Sequence, residues 1–350
     1  MARKTKRMES TTEEQWLDCN ENNIDLTDEF LDYCRSVDRS PKTIIGYKSD
    51  LHIIMIFFKD NLKDKNFTDI TKRDVIKFQS WCINQGMSPS RIRRLRSSCS
   101  SISNYIENML DSEFKDFRNI INKIPSPSLS NVREKTIMSE EQIEDLLETL
   151  IENKDYQRAC FIAILAGSGM RKSEIIQCKV NWYVGNPVIY EGMYVSPEIR
   201  TKGKGVQGKK LKKYTICSIV DKYLELWMEK RKELNIESDN LFVIKRSEKW
   251  ECIKESTVDS WMIGFTNITK IDNYCHMYRH YSATWLKRHS VSIDQIRDFM
   301  GHNDSSTSEI YVDIGKEENL SGMLSFMNKK VDELLNDDDV VEEIIEEITQ

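Results

Sequence analysis

Histidine, arginine and tyrosine side chains that could do chemistry lie close together near the carboxy terminus of this 350-residue sequence. Four of its five histidines, at positions 276, 280, 289 and 302, fall within twenty-seven residues, and Tyr311 follows nine residues after the last of them. A histidine cluster can bind zinc, but the HExxH spacing is missing and Arg279 would repel a cation held between His276 and His280. The residue types therefore favour an anion over a metal ion as the ligand.

Two arginines are placed to hold the oxygens of a phosphate group. His276 and Arg279 are three residues apart in a predicted helix, so they share one face of it. Arg171 follows a glycine-containing turn and opens another predicted helix, so its guanidinium and the free backbone N–H groups of that helix can both meet an anion. No carboxylate cluster that would hold magnesium accompanies them, and such a set can stabilise a pentavalent phosphorus by protein groups alone. We therefore expect no metal and no cofactor.

Helices are predicted to fill the first third of the chain. Ser40-Pro41 and Ser88-Pro89 each form an N-cap followed by proline at the first helical position, and Thr71 begins a motif that resembles a capping box. Apolar residues follow each start at intervals of three and four, which is the period of an amphipathic helix. These helices predict one small all-helical domain.

The second half of the chain is predicted to mix helices with one small sheet. Ser139 caps a predicted helix, and the apolar residues 156–166 form another, which Gly167-Ser168-Gly169 breaks. β-Branched and aromatic residues predict strands over 187–190, 193–195 and 214–219, and helices resume at Lys222. The pattern divides the chain into a basic segment over residues 1–20, a helical domain over 21–121, a linker rich in proline and serine over 122–135, a second domain over 136–318, and a carboxy-terminal helix with an acidic tail over 319–350.

The net charge of −6 is the sum of two oppositely charged parts of the chain. The last twenty residues hold nine acidic side chains and no basic one, so residues 1–330 carry a charge of +3. The segment 200–213 contains seven basic residues and no acid, and Arg91 and Arg94 belong to a second basic cluster on a predicted helix. A solvated surface is the usual explanation of one such run. Two runs together favour a polyanion as the partner.

The composition excludes several classes of protein. No apolar run approaches the ~18 residues that span a bilayer, and the basic start of the chain is followed by threonine and glutamate rather than by the apolar core of a secretory signal. Nine cysteines without a CxxC pair predict neither a disulfide framework nor a zinc site, so we expect most of them in the core. We expect a cytoplasmic protein that does not bind membranes.

Three motifs resemble those of the tyrosine recombinases, the family of phage integrases and Xer-like enzymes. Residues 166–174, AGSGMRKSE, resemble the box of the first catalytic arginine, and residues 276–280, HMYRH, resemble the HxxRH box. Residues 300–302, MGH, followed by Tyr311, resemble the LGH…Y ending. The resemblance covers residues 25–315. It implies a multidomain α and α+β fold, with an all-helical SAM-like core-binding domain and a mainly helical catalytic domain that contains a small antiparallel sheet.

The resemblance also implies a role for each matching residue. Tyr311 would attack the scissile phosphodiester and form a 3′-phosphotyrosyl bond, while Arg171 and Arg279 would hold the non-bridging oxygens. His276 would take part in proton transfer, and His302 would hydrogen-bond the phosphate.

Supporting and DNA-binding roles follow from the same resemblance. Glu174 would orient the site, and a lysine in the turn between two strands would protonate the leaving 5′ oxygen. Lys202 fits this lysine by its Thr-Lys-Gly form and Lys204 by its Gly-Lys-Gly form, with a slight preference for Lys202. Arg91 and Arg94 would contact DNA, because their helix lies in the domain with which the family grips a duplex.

The family resemblance implies double-stranded DNA as the partner and no cofactor. It also implies a homo-oligomer, with a tetramer in the synaptic complex and a monomer or dimer in solution. A segment after the nucleophile commonly docks on the neighbouring protomer, and the apolar positions within 320–335 make that stretch the candidate here. The reaction would serve the integration and excision of a mobile element or the resolution of dimers. Two alternatives stay open, namely a non-catalytic DNA-binding accessory or regulatory protein on the same fold and a type IB topoisomerase.

Overall fold

The computed structural model describes residues 11–128, 137–203, 205 and 207–301. Of these residues, 11–128 form one compact unit, and 137–202 together with 209–301 form a second. In the described ranges no helix is both long enough and apolar enough to cross a membrane.

The first unit is helical. Its predicted helix starts are confirmed, because the side chains of Ser40, Thr71 and Ser88 each accept a hydrogen bond from a backbone N–H in the first turn of the helix that follows. The apolar faces of these helices meet in one core. The α-helices are α1 (Glu13–Leu17), α2 (Glu21–Ser36), α3 (Pro41–Asn61), α4 (Lys72–Asn84) and α5 (Pro89–Met109), with 3₁₀ turns at Phe67–Asp69 and Ile121–Lys123.

The second unit is built around one buried helix. Its helices are α6 (Glu140–Glu152), α7 (Tyr156–Ser168), α8 (Lys172–Ile175), α9 (Cys217–Glu233), α10 (Glu255–Thr269), α11 (Cys275–Arg288) and α12 (Ile293–Met300). From Ala159 onward α7 is buried on all sides, and it packs against α6, α9 and α11, as a helix without a polar face must. The predicted break at Gly167-Ser168-Gly169 is confirmed at the last of these three residues. The helix continues through Ser168 and ends at Gly169, whose φ of +58° is left-handed.

The described residues of the second unit also form seven short strands, which pair in antiparallel fashion. They are β1 (Ile189–Tyr190), β2 (Met193–Val195), β3 (Ile199–Thr201), β4 (Lys209–Leu211), β5 (Tyr214–Ile216), β6 (Val243–Arg246) and β7 (Lys249–Cys252). One sheet has the order β1-β2-β5, while β3 pairs with β4 and β6 pairs with β7. The prediction of a single sheet is wrong, because β3–β4 and β6–β7 form two further pairs, and the hairpin β6–β7 lies where the sequence predicts helix. The strand predicted over 214–219 ends at Ile216, and α9 begins at Cys217 rather than at Lys222.

All nine cysteines lie in the described chain and have free thiols. Seven are buried, and Cys217 and Cys252 are half-buried, so the predicted place of most cysteines in the core is confirmed. Burial raises the pKa of every one of these thiols. It reaches about 11 for Cys19 and about 12 for Cys82.

Candidate active site

Arg171 lies where the chain passes from α7 to α8. It is the N-cap of α8, and its guanidinium Nη1 donates a hydrogen bond of 2.8 Å to Oε1 of Glu174. Its backbone N–H donates to Oε2 of the same carboxylate over 3.0 Å. The prediction that Arg171 opens a helix is confirmed, but the helix has four residues and the carboxylate already occupies the N–H of its N-cap. The side chain of Arg171 keeps 23% of its surface exposed, so a bound anion can still reach the guanidinium.

The carboxylate of Glu174 is fully buried and paired with a second cation. The ammonium of Lys213, itself only 1% exposed, lies 3.1 Å from Oε2 of Glu174 and donates to the backbone carbonyl of Met300 over 3.2 Å. Burial alone would raise the pKa of Glu174, but the charge of Lys213 and the hydrogen bonds from Arg171 lower it below its usual range. The carboxylate therefore stays ionised between the two cations.

Arg279 joins the ends of two helices from its place in α11. Its side chain is buried, and its guanidinium donates to the carbonyl oxygen of Gly169 and, over 2.8 Å, to that of Met300. The two carbonyls belong to the first-arginine box and to the MGH motif, so all three sequence motifs meet at Arg279. Gly169 and Met300 approach each other so closely that a Cβ added at Gly169 would lie 2.5 Å from Sδ of Met300.

His276 lies in the first turn of α11 with part of its side chain exposed to solvent. Loss of hydration lowers the pKa of this imidazole, and the positive charges of Arg279, Arg171 and Lys202 lower it further, against a smaller opposing effect of Glu174. These charges act on His276 because they lie close to it. Arg279, Arg171, Lys202 and Glu174 are therefore near enough to His276 to affect its pKa. The lowered pKa leaves the imidazole neutral at neutral pH.

Lys202 follows β3 directly, at the start of the turn that leads to β4. This is the turn between two strands that the resemblance implies for the catalytic lysine. The other candidate, Lys204, lies outside the described residues, and so do His302 and Tyr311. The described chain ends at Gly301, the residue immediately before the histidine of the MGH motif. The roles of these residues, and of the segment 319–350, stay predictions.

Arg91 and Arg94 lie on α5 in the first unit, where both bind one buried carboxylate. Nη1 of Arg91 is 2.5 Å from Oδ1 of Asp50, and Nε of Arg94 is 2.9 Å from Oδ2. The hydroxyl of Ser98 also donates to Oδ2 over 2.8 Å. Asp50 is 2% exposed, whereas the side chains of Arg91 and Arg94 are 31% and 57% exposed. The arginines thus have an internal partner as well as an outer surface, and their contact with DNA stays a prediction.

Sequence reasoning missed Lys213 as a part of this site, because it counted the residue only among the basic side chains of the segment 200–213. A lysine in such a run is normally solvated. The sequence feature that could have indicated such a residue was Glu174, because a carboxylate that is buried beside Arg171 needs cations near it to compensate its charge. The sequence does not show which lysine that is, because Glu174 and Lys213 are brought together by the tertiary fold.

Two family models match this chain. Residues 136–318 match the phage integrase family, and residues 27–106 match the phage integrase N-terminal SAM-like domain. The first match alone covers more than half of the chain. The chain belongs to the phage integrase family. The predicted family and fold class, a SAM-like helical domain followed by a catalytic domain with small antiparallel sheets, are therefore confirmed.

Relatives of this integrase include the SPbeta prophage-derived recombinase-like protein YomM of Bacillus subtilis, which is 28% identical over 310 residues covering 87% of this chain and 90% of the relative. A tyrosine recombinase of Thermosipho africanus is 26% identical over 303 residues, covering 83% and 95%. A solved structure of the XerH site-specific recombinase bound to palindromic difH, a post-cleavage complex, matches with a TM-score of 0.62 at 18% identity and covers 91% of this chain and 90% of that one. A lambda integrase dimer bound to a COC′ core site matches with a TM-score of 0.60 at 15% identity, covering 82% and 94%.

The predicted activity class is confirmed together with the family. The integrase is an enzyme of the tyrosine recombinase class, which exchanges DNA strands, and the topoisomerase alternative is not favoured. The catalytic and DNA-binding residues and the domain boundaries stay predictions.

Proposed function

We propose that this integrase cleaves and rejoins double-stranded DNA at specific sites through a 3′-phosphotyrosyl intermediate formed by Tyr311. The observation that carries the proposal is the cluster in which Arg171, Lys213 and Arg279 are joined through the carboxylate of Glu174 and the carbonyl of Met300. Among the described residues the carboxylate of this cluster, Glu174, is buried and paired with Arg171 and Lys213. The part of the site that faces solvent is therefore cationic, and a phosphodiester is an anion that fits it.

In this proposal a side chain of the integrase carries out each step of the reaction. The phenolic oxygen of Tyr311 forms a bond to phosphorus as the bond from phosphorus to the 5′ oxygen breaks. Arg171 and Arg279 hold the non-bridging oxygens and stabilise the extra negative charge of the pentavalent state. His302 donates a hydrogen bond to the same phosphate. Rejoining is the reverse reaction, in which an incoming 5′ hydroxyl displaces the tyrosine, and it needs no external energy source.

In this proposal His276 and a lysine carry out the proton transfers. The depressed pKa of His276 leaves its imidazole neutral at neutral pH, so it can accept a proton in the reaction. Lys202 or Lys204 gives a proton to the leaving 5′ oxygen. The place of Lys202 in the turn after β3, and its electrostatic effect on His276, support Lys202.

We further propose that the integrase works as a homo-tetramer that pairs two duplexes in the cytoplasm, for the integration and excision of a mobile element or the resolution of dimers. Solved relatives support duplex DNA as the partner, since XerH and lambda integrase were captured on their substrates. Within this proposal the stretch 320–335 contacts the neighbouring protomer. Sedimentation of the protein with its DNA site tests the assembly, and four protomers on two duplexes is the expected complex.

Capture of a covalent protein–DNA adduct tests the reaction. The full-length protein is incubated with nicked duplexes of random sequence, the proteins are denatured, and the DNA that stays attached is sequenced to recover the site. Wild type is expected to form an adduct at a defined sequence, and Tyr311→Phe is expected to form none. Tyr190→Phe is the matched control because Tyr190 is 59% exposed and lies on β1. An adduct that persists in Tyr311→Phe would refute the nucleophile, and the absence of any adduct with wild type would favour a non-catalytic DNA-binding protein.

A further inference from the structure

We propose that Lys213 is a positioning residue of the active site, which fixes Arg171 through the buried carboxylate of Glu174. The inference rests on the proposed function, because it assigns the residue that holds one of its two phosphate-binding arginines in place. It adds to that function a buried lysine that does not touch the DNA.

The burial of Lys213 contrasts with its position in a basic segment. Lys212, its neighbour, is exposed, whereas the side chain of Lys213 is 1% exposed. The backbone of Lys213 is held as well, since its N–H donates to Oγ of Ser196 over 2.9 Å and its carbonyl accepts from the N–H of Ser196 over 2.9 Å. A lysine is rarely buried in this way unless a partner compensates its charge.

The partner of Lys213 is the oxygen of Glu174 that the guanidinium of Arg171 does not use. Arg171 Nη1 binds Oε1, whereas the ammonium of Lys213 lies 3.1 Å from Oε2. The carboxylate is therefore held from both sides, and it can pivot only if one cation moves. A fixed carboxylate in turn restricts the guanidinium of Arg171 to one geometry.

A second contact anchors the ammonium at the end of α12. Lys213 donates to the carbonyl of Met300 over 3.2 Å, and Arg279 donates to the same carbonyl over 2.8 Å. Gly301 leaves room for this contact, because a Cβ there would lie 3.4 Å from Nζ of Lys213 and 3.0 Å from Cδ1 of Leu211. Both contacts of the ammonium are internal, so it acts through Glu174 and not on the DNA.

The ionisation of Glu174 provides a signature of this role. Burial raises the pKa of Glu174, and the charge of Lys213 is the largest effect that opposes it. Without Lys213 the carboxylate takes up a proton at a higher pH than in wild type. A protonated Glu174 pairs less strongly with Arg171, so cleavage by a Lys213→Met protein should decline as the pH falls, in a range where wild type is not yet affected.

The test measures the single-turnover rate of adduct formation on a nicked duplex that carries the sequence recovered with wild type, from about pH 5 to about pH 9. The full-length variants are Lys213→Met, Glu174→Gln and the two combined. Lys232→Met is the control for the loss of one positive charge, because Lys232 is an exposed lysine in the last turn of α9. We expect Lys213→Met to slow adduct formation about 10- to 100-fold at neutral pH, as small displacements of a catalytic group do. Lys232→Met should keep the rate of wild type.

The combined variant separates action through Glu174 from a general structural effect. If Lys213 acts through Glu174, adding Lys213→Met to Glu174→Gln changes the rate by less than about threefold and leaves the acid limb where Glu174→Gln puts it. A combined variant slowed by the product of the two single effects would overturn the proposal. So would a Lys213→Met protein that has the rate and pH profile of wild type, or one that is slow with an unshifted pH profile.

The folding of Lys213→Met and the reactivity of wild type decide which of the two proposals a result tests. If Lys213→Met does not fold, as a thermal melt would show, the comparison of the combined variant with Glu174→Gln decides alone, since neither partner of the pair is then charged. If wild type itself forms no adduct, the proposed function fails. If wild type reacts and Lys213→Met reacts equally fast, only the positioning role fails.

Discussion

Replacement of Gly169 by alanine tests whether the meeting of α7 and α12 is as tight as the structure shows. The backbone of Gly169 is left-handed, with a φ of +58°, and the added Cβ would lie 2.5 Å from Sδ of Met300 and 2.7 Å from its Cε. The left-handed conformation costs an alanine about 1 to 2 kcal/mol. Crowding of a packed interior adds about 1 to 3 kcal/mol. We therefore expect Gly169→Ala to lower the free energy of unfolding by about 2 to 5 kcal/mol.

A second glycine separates the two contributions. Gly192 also has a left-handed φ, of +79°, but a Cβ there would meet nothing within 4 Å. Gly192→Ala should therefore show the backbone cost alone. In a unit of this size about 1 kcal/mol corresponds to about 2 to 4 °C in the melting temperature, so the transition of the second unit should come about 2 to 12 °C lower in Gly169→Ala than in Gly192→Ala.

Differential scanning calorimetry of the full-length variants measures this difference, and a cycle with Met300→Ala assigns it. In the Met300→Ala background the two atoms within 3.0 Å of the new Cβ are gone and Oγ of Ser282 remains at 3.3 Å, so Gly169→Ala should cost little more than Gly192→Ala. Equal melting of Gly169→Ala and Gly192→Ala in the wild-type background would refute the close approach. Adduct formation should fall as well in Gly169→Ala, because the carbonyl of Gly169 accepts from Arg279.

Two more predictions concern the charges of the two units. The pKa of His276, followed by NMR in the DNA-free protein, should lie below about 6.5 and rise in Lys202→Met, because one of three neighbouring positive charges is lost. An unchanged pKa in Lys202→Met would contradict the closeness of Lys202. Adduct formation by wild type should decline only as the pH falls through this lowered pKa and the imidazole takes up a proton. Arg94→Ala should weaken duplex binding and reduce the slope of log affinity against log salt by about 1. Lys115→Ala, which removes an exposed charge outside α5, should leave that slope unchanged. Equal slopes for wild type and Arg94→Ala would show that Arg94 does not contact the DNA.

Local signals explain what the sequence predicted well. Ser40, Thr71 and Ser88 begin helices because their side chains satisfy backbone N–H groups nearby, and this needs no knowledge of the rest of the fold. The motifs around Arg171 and Arg279 could be recognised because their residues and their order along the chain are characteristic of the tyrosine recombinases. The structure then places them together, as the resemblance implied.

The parts that the sequence did not predict depend on contacts between distant residues. Each strand of the hairpin β6–β7 has only four residues, and its turn uses Ser247 at a φ of +52° rather than a glycine, so it lacks the usual hairpin signal. α7 continues two residues past its predicted end at Ala166, and its Gly167 packs against α9, whose atoms would lie within 3.2 to 3.3 Å of an added Cβ. Lys213 and Asp50 were missed for the same reason, since the partners that compensate each buried charge lie 39 and at least 41 residues away in sequence.

The burial of the thiols makes this integrase suited to site-directed labelling. Maleimides and similar reagents react with the thiolate, and burial raises the pKa of all nine native thiols. A single cysteine introduced at an exposed position should therefore be modified before any native one, with only Cys217 and Cys252 competing slowly from half-buried positions. Fluorophores could then be attached to each unit without first removing seven core residues, and DNA binding could be followed by energy transfer in the otherwise native chain.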